Sequence, residues 1–342
     1  MNAKEMLVLL SIIIFLIAVI LTYVKALQNR NKPCVFGKQN IIKCFISRII
    51  GKTISKFLGL SYNAESFKNN EQKPVQRLKA NNPYDSFYAP VYSTLISDQI
   101  IDRTKFEIKD LIEQTDLTEY NAANLLDIGC GGSDHLKWLA NEDIETLTLN
   151  GIDKSEAMLL ETKNRLGEEE AQNVRLIKKD IHNNDLFMRS SFSHITSYYF
   201  TLYYIYNDRL MKNIKKWLKP KGWFIVHVVD LEKFDPILDA ASPFLGINPQ
   251  KYVKNRITES KVTFKKFIYH SNFSLTKNNA YFDEAFHLKN RPTIRTQRHT
   301  LKNIDINTFV DKMGQHNMLL KHSTNLSTIG YHYQYILYFQ KV

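Results

Sequence analysis

The sequence predicts an α/β protein built on a doubly wound, mostly parallel sheet, and three observations carry that prediction. Short apolar runs recur at 124–128, 147–153 and 174–181, each of a length and composition suited to a strand buried on both faces. Each run ends or turns at an acid: Asp127, Asp153 and Asp180. The runs are separated by stretches long enough for a crossover helix, which parallel neighbours require. A glycine-rich turn, Gly129-Cys130-Gly131-Gly132, follows the first run and leads into a helical pattern over about 134–141, with Leu136, Trp138, Leu139 and Ala140. Glycine there lets the backbone turn tightly and come close to a ligand where a Cβ would clash.

The 342 residues are enough for one large domain with additions, and 44 % hydrophobic with 23 % charged residues is a globular composition. The net charge of +12 is unevenly placed. Between Lys25 and Ala80 there are twelve Lys or Arg against only Glu65 and Glu71, so ten of the excess positive charges lie there. The rest of the chain is close to neutral, and no nucleic-acid-binding surface is expected on it. Cys34, Cys44 and Cys130 have neither metal-ligand spacing nor a disulfide framework, so no metal is expected.

In chain order, Met6 to Val24 holds no charged residue. At about 1.5 Å per residue this run spans about 28 Å as a helix, close to the hydrocarbon thickness of a bilayer. It is longer than the apolar core of a signal peptide and ends without a small-residue cleavage site, so it reads as a single membrane anchor. Lys25, Arg30, Lys32, Lys38 and Lys43 follow it and only Lys4 precedes it, which places the remainder on the cytosolic side. Residues 25–82 read as a basic juxtamembrane segment and linker. Within them Ile41 to Leu60 fits either a membrane-surface helix or a solvated connector. The globular part, 83–342, opens on Tyr84, Tyr88 and Tyr92, spaced along one face of a short helix, ahead of a second helix over 97–115.

Beyond the third run, 192–204 reads as a strand and its exit loop, 210–218 as a helix, and 218–226 as a turn into a fifth strand. Alternating patterns at 262–268, 272–276, 281–288 and 293–301 suggest strands of an insertion at about 250–300. Asp305 to Met313 fits an N-capped helix, and 318–322 with 333–339 a closing antiparallel hairpin.

The acid-containing glycine turn Asp127-Ile128-Gly129-Cys130-Gly131, the run Gly151-Ile152-Asp153-Lys154-Ser155-Glu156-Ala157-Met158, the pair Asp180-Ile181 and Leu218-Lys219-Pro220-Lys221-Gly222 together resemble the class I S-adenosylmethionine-dependent methyltransferases. Ser193 and Lys221 stand where that family commonly has Asp and Gly. The resemblance covers 124–230 and implies a Rossmann-like seven-stranded sheet closed by the hairpin. It also implies S-adenosyl-L-methionine as cofactor, held by Asp127, Gly129, Cys130, Gly131, Asp153, Lys154, Met158, Asp180, Ile181 and Tyr198. By the same likeness Asp153 takes the ribose hydroxyls, Asp180 and Ile181 read the adenine, and Tyr88, Tyr199 and Tyr203 lie toward the methyl acceptor. An NAD site is disfavoured, because Asp134 occupies the place of the third glycine of a dinucleotide fingerprint. His194, His227 and Asp230 are the residues near strand ends that could act as a base, and the sequence selects none of them. The expected acceptor is a small molecule or a lipid, with a non-catalytic binding protein at a membrane as the alternative reading.

Overall fold

The computed structural model describes residues 76–80, 82–120, 122–142, 144, 146–183, 185–237 and 255–342. The span at 6–24 and the basic segment down to residue 75 lie outside the described residues. Among the described residues, no helix is long and apolar enough to cross a membrane.

Seven strands form the main sheet: β2 (Asn124–Ile128), β3 (Thr148–Asp153), β4 (Val174–Lys178), β5 (Phe192–Ser197), β6 (Leu218–Val229), β11 (Met318–Asn325) and β12 (Gln334–Lys341), in the order β11-β12-β6-β5-β2-β3-β4. β4, β3, β2, β5 and β6 run parallel, and β12 is antiparallel between β6 and β11. The order reverses between β2 and β5, which opens a crevice at their C-terminal ends where ligands bind in such sheets. This is the predicted doubly wound arrangement with its closing hairpin.

Burial explains why the central strands read as apolar runs. Leu125, Leu126 and Ile128 of β2 and Phe192 and Ile195 of β5 are buried, and helices cover both faces of the sheet. On one face lie α2 (Ile101–Thr115) and α3 (His135–Ala140), with Ile108, Leu111, Leu136 and Leu139 in a shared cluster. On the other, α7 (Asp208–Trp217) buries Leu210, Met211, Ile214 and Trp217, one stripe of an otherwise charged helix. Asn207 caps that helix by accepting the Leu210 N–H at 2.8 Å. α8 (Ile306–Gln315) adds Phe309 and Met313 and is capped by Asp305, which accepts from Thr308 N–H at 2.8 Å.

The insertion is a second, five-stranded sheet, in the order β1-β10-β9-β8-β7. It comprises β7 (Glu259–Thr263), β8 (Phe267–Leu275), β9 (Asn279–Leu288) and β10 (Thr293–Lys302), with β1 (Gln76–Lys79) parallel to β10 at its edge. Three local expectations change here. The segment 25–82, expected to hold no strand, has one near its end, because Gln76 to Lys79 pair with the edge of β10. The strand expected over 262–268 is instead the turn of a hairpin, closed by Phe264 N–H donating to Phe267 O at 2.9 Å. The helix expected from Ser97 starts at Ile101, because residues 93–97 form a π turn in which Ser93 O accepts from Asp98 N–H at 2.8 Å.

The core couples the two sheets. Phe273, Ala280 and Leu301 of the insertion join Leu202, Val228 and Phe234 of the main domain in one buried cluster. Tyr88 and Leu95, from α1 (Tyr88–Tyr92) and the π turn, pack with Val262, Phe267, Tyr269 and Phe286 on the insertion sheet. Phe339 on β12 is fully buried against the rings of Phe224 and Phe309, at 6.4 and 5.7 Å between centroids. Phe339→Ala removes a ring that ties sheet to helix, and a loss of about 3–5 kcal/mol is expected in urea unfolding.

Candidate active site

The site is built from the glycine turn upward. Gly129 has φ +72°, and its N–H donates to Ile152 O at 2.8 Å, so the turn is bonded to the end of β3. Gly131 N–H donates to Asp153 Oδ2 at 3.2 Å, and a Cβ on Gly131 would lie 2.7 Å from the same oxygen. The other Asp153 oxygen accepts from Ser155 N–H at 2.8 Å, and Ser155 caps α4 (Glu156–Arg165) through Met158 N–H. Burial raises the Asp153 carboxyl above its ordinary range, and the Ser155 and Gly131 amides partly offset that.

Above the turn lies one cavity of about 270 Å³. Gly129, Gly131, Asp153, Lys154, Met158, Asp180 and Ile181 line one part of it. Asp153 and Asp180 therefore reach the same rim, at the ends of adjacent strands. Tyr84, Tyr88, Tyr92, Tyr199, Phe200 and Tyr204 line the middle, and Tyr269, Phe282, Glu284 and His299 of the insertion sheet form the far wall.

Other sequence-selected residues sit elsewhere. Asp127 lies in a small side recess with Gly129, Tyr198, Tyr199 and Thr201, its Oδ1 accepting from Thr196 at 2.8 Å. Burial pushes its carboxyl up to about 6. Tyr198 lines the same recess and stacks on His135 at 4.0 Å. The Cys130 side chain points away from the cavity into the core behind the turn, beside Gly151 and Leu136. Tyr203 faces the core, where its hydroxyl donates to Val229 O at 2.8 Å, and its neighbour Tyr204 lines the cavity instead. On the one-turn helix α6 (Thr201–Ile205), a one-residue step moves a side chain from core to cavity.

None of the three residues considered as a base faces the cavity. His194 is buried beside the Ser193 hydroxyl at 2.9 Å, and burial lowers it to about 3. His227 is lowered to about 3 by burial and by nearby Arg103, and lies between the Tyr199 carbonyl and Gln334. Asp230 pairs with Lys233 at 3.1 Å. Ser193 ties β5 to β2 through the Asn124 backbone, accepting from its N–H at 2.9 Å.

Two groups escaped the sequence reading. Arg103 of α2 is buried and lines the cavity, its Nε donating to Glu107 at 2.7 Å and its Nη1 to Gln334 at 2.8 Å. Its Nη2 is buried with no hydrogen-bond partner among the described residues. Burial alone would raise the Glu107 carboxyl, but Arg103 and His135 outweigh it and hold it at about 2. The second group centres on Glu284, 7 % exposed in the middle of the insertion sheet. Tyr88 and Tyr269 donate to its Oε1 at 3.2 and 2.7 Å, and Gln297 and His299 contact its Oε2 at 2.6 and 2.8 Å. Arg103 was legible only as a basic residue four before an acid on a helix. Glu284 and His299 read as ordinary polar positions of strands.

Comparison with known proteins fits this geometry. The family model described as a methyltransferase domain matches residues 120–281. Among solved structures, the chain resembles an S-adenosylmethionine-dependent methyltransferase from Clostridium acetobutylicum, at 16 % identity and TM-score 0.56, over 76 % of this chain and 99 % of that one. It also resembles the CcbJ methyltransferase from Streptomyces caelestis, at 13 % identity and TM-score 0.54, over 76 % and 98 %. A third is the S-adenosylmethionine-bound CalS10 from Micromonospora echinaspora, an amino pentose methyltransferase, at 15 % identity and TM-score 0.50, over 77 % and 99 %. These likenesses concern the fold. No curated protein matches the sequence. Residues 120–281 thus match a methyltransferase domain, on a Rossmann-like α/β fold shared with these structures. By that match the protein is a methyltransferase, and its cofactor is S-adenosylmethionine.

The residues present fit that cofactor: a glycine turn with no space for a Cβ, a carboxylate at the rim, and a buried guanidinium with one nitrogen unpartnered. Gly131→Ala puts a methyl group against Asp153 and Met158, and calorimetric binding of S-adenosylhomocysteine is expected to fall at least about tenfold, with a lower thermal midpoint as the turn shifts.

Proposed function

We propose that this enzyme methylates a small-molecule acceptor held between the two sheets, and that residues 6–24 anchor it to a membrane with its catalytic domain on the cytosolic side. The observation that carries the acceptor reading is the single cavity running from Gly131 and Asp153 to the insertion sheet. It joins a cofactor-type rim to an aromatic chamber lined by Tyr84, Tyr88, Phe200, Tyr204 and Phe282. A purely non-catalytic binding role is not favoured, since such a chamber beside the cofactor rim has no use without an acceptor.

When bound, the cofactor supplies a methyl group already activated by its sulfonium. The protein's work is to orient and to exclude water. In this reading Asp153 accepts hydrogen bonds from the ribose hydroxyls, and Asp180 with the Ile181 amide meets the adenine edge. Arg103, through its unpartnered Nη2, holds the methionine carboxylate, and Asp127 faces the methionine ammonium from the side recess. Lys154 and Met158 flank the adenosine, Tyr198 and the backbone of Gly129 and Cys130 shape the recess, and Tyr88 and Tyr199 close over the acceptor. Transfer of label from methyl-labelled S-adenosylmethionine to small-molecule acceptors tests the activity.

The Asp127 assignment has a pH signature. Its carboxyl, at about 6 in the free protein, is drawn toward the ionised form by an ammonium beside it, so cofactor binding releases a proton in acid solution. Affinity for S-adenosylhomocysteine is expected to be full above pH 6 and to fall by up to about tenfold per unit below it. Asp127→Asn is expected to bind weakly with no such slope, as read by calorimetry from pH 5 to 8.

The membrane reading rests on the uncharged run from Met6 to Val24 and the basic residues behind it. A lipid-borne small molecule is compatible with it. Carbonate extraction is expected to leave the full-length chain in the membrane fraction and to release a chain carrying Ile13→Lys and Ile17→Lys, whose two charges remove the span's preference for hydrocarbon.

A further inference from the structure

We infer that Tyr204, His299 and Glu284 form a proton relay that withdraws a proton from the acceptor, which makes the acceptor a protic one, a hydroxyl or an amine. This deepens the methyltransferase reading and rests on it.

The argument starts from Glu284. Both its oxygens are occupied, Oε1 by the hydroxyls of Tyr88 and Tyr269 and Oε2 by Gln297 and His299. Hydroxyl and amide donors on both oxygens suit the ionised carboxylate, which has four lone-pair positions to fill. An ionised carboxylate only accepts hydrogen bonds, so His299 Nε2 carries the hydrogen that it shares with Glu284. With Nε2 donating to Glu284, the ring presents its Nδ1 to the Tyr204 hydroxyl, 2.9 Å away. Tyr204 thus donates to His299, accepts from Tyr84 and keeps one oxygen lone pair for a further donor.

The arrangement has the order of a carboxylate, an imidazole held in one tautomer, and a hydroxyl opening on a cavity. The three parts come from different elements. Glu284 and His299 lie on β9 and β10, on one face of the insertion sheet, and Tyr204 lies one turn along α6 from Thr201, which packs against Gly129. Tyr204 therefore links the cofactor rim to the insertion sheet. Tyr84 packs its ring against both Tyr204 and His299, at 5.7 and 5.3 Å between centroids, and is hydrogen-bonded to Tyr204. The titratable groups in contact with His299 are Glu284 from β9, Tyr204 from α6, and Tyr84 and Tyr88 from the N-terminal segment. Glu284 is the single carboxylate among them.

The step balances without any further reactant. The acceptor's oxygen or nitrogen forms a bond to the methyl carbon, and the carbon–sulfur bond breaks with its electron pair going to sulfur. The acceptor's proton passes to Tyr204 while the Tyr204 proton passes to His299 Nδ1. His299 becomes an imidazolium beside Glu284 and returns the proton to solvent after product leaves. Tyr204 is the catalytic residue that touches the acceptor, and Glu284 is a positioning residue acting through His299. An acceptor with no proton to lose, such as a thioether, would leave this relay without work.

The test uses the full chain and methyl-labelled donor with two acceptor panels, phenols and primary amines. Labelled methylamines are retained on a cation-exchange resin and methyl ethers are not. Label is expected to enter one panel, with kcat rising with pH through one ionisation. His299→Gln is expected to lower kcat about a hundredfold and to abolish that ionisation, with the KM for donor unchanged. Glu284→Gln should shift the profile, and Tyr204→Phe should lower kcat and move the His299 Nδ1 resonance in nitrogen NMR of the protein without acceptor. An unaltered pH profile in His299→Gln overturns the relay, as does a His299 resonance indifferent to Tyr204→Phe. Both panels left unlabelled by protein that still binds S-adenosylhomocysteine overturns the protic acceptor. Loss of S-adenosylhomocysteine binding by the wild-type chain counts instead against the cofactor reading.

Discussion

The glycine turn works because it is bonded to the neighbouring strand rather than left as a loop. Gly129 and Cys130 both donate to the Ile152 carbonyl, at 2.8 and 3.3 Å, and Gly131 donates to the Asp153 carboxylate. One carbonyl and one carboxylate at the end of β3 therefore fix the path of the turn after β2. The parallel register of β2 on β3, with Asp127 beside Gly151 and Ile128 beside Ile152, is what brings those acceptors into reach. A shift of one residue in that register would turn Asp153 to the opposite face and leave the turn's amides unpaired. Gly151 is part of the same constraint, since a Cβ there would strike Leu136 of α3 and the Cys130 side chain. The rim is a consequence of strand pairing.

What closes the site comes from sequence far from that rim. The N-terminal segment reaches the rim through Ser155, whose hydroxyl donates to the Tyr84 carbonyl at 2.6 Å, and through Ser97, which donates to the Gly132 carbonyl. It reaches the insertion sheet through Arg295, which pairs with Asp85 at 2.8 Å and lies 4.5 Å over the Phe87 ring. The same fifteen or so residues thus touch both walls of the cavity, and they are joined to the insertion sheet by an aromatic cluster rather than by backbone pairing alone. Order in this segment is coupled to order in the insertion, so acceptor selectivity and cavity closure depend on one set of contacts.

The sheet and the cofactor rim were legible in the sequence because their constraints are local. Apolar runs of strand length, acids at their ends and glycines at the turn are each read within a few residues, and the structure places Asp153 and Asp180 side by side as that pattern requires. The rest depends on which way one residue points. Tyr203 and Tyr204 are identical in type and adjacent, and only the phase of a five-residue helix sends the first to the Val229 carbonyl and the second to the cavity. Glu284 and His299 were invisible for a different reason. On a strand a buried polar residue looks like a solvent-facing one, and here period-two alternation points the polar face inward, where Tyr88 and Tyr204 supply partners from outside the sheet. The insertion's edge was missed because Gln76 to Lys79 are exposed throughout and bear no apolar pattern, so backbone pairing alone defines that strand.

Buried charge gives the cavity its polarity. Removing ions from water is costly unless each is matched, and both buried clusters near the cavity are matched internally. On one side Glu107 is held by Arg103 and His135, at 2.7 Å each. On the other Glu284 is held by four donors from two strands and α1. The two clusters differ in what they leave over. The Glu107 cluster ends in a guanidinium nitrogen without a partner, which suits an anion, whereas the Glu284 cluster ends in a tyrosine hydroxyl backed by a ring nitrogen that can take a proton. A ligand with a carboxylate is thereby directed to the α2 end, and a group that must lose a proton to the insertion end. The two ends of one cavity thus carry unlike polar groups, a guanidinium at α2 and a tyrosine hydroxyl at the insertion sheet.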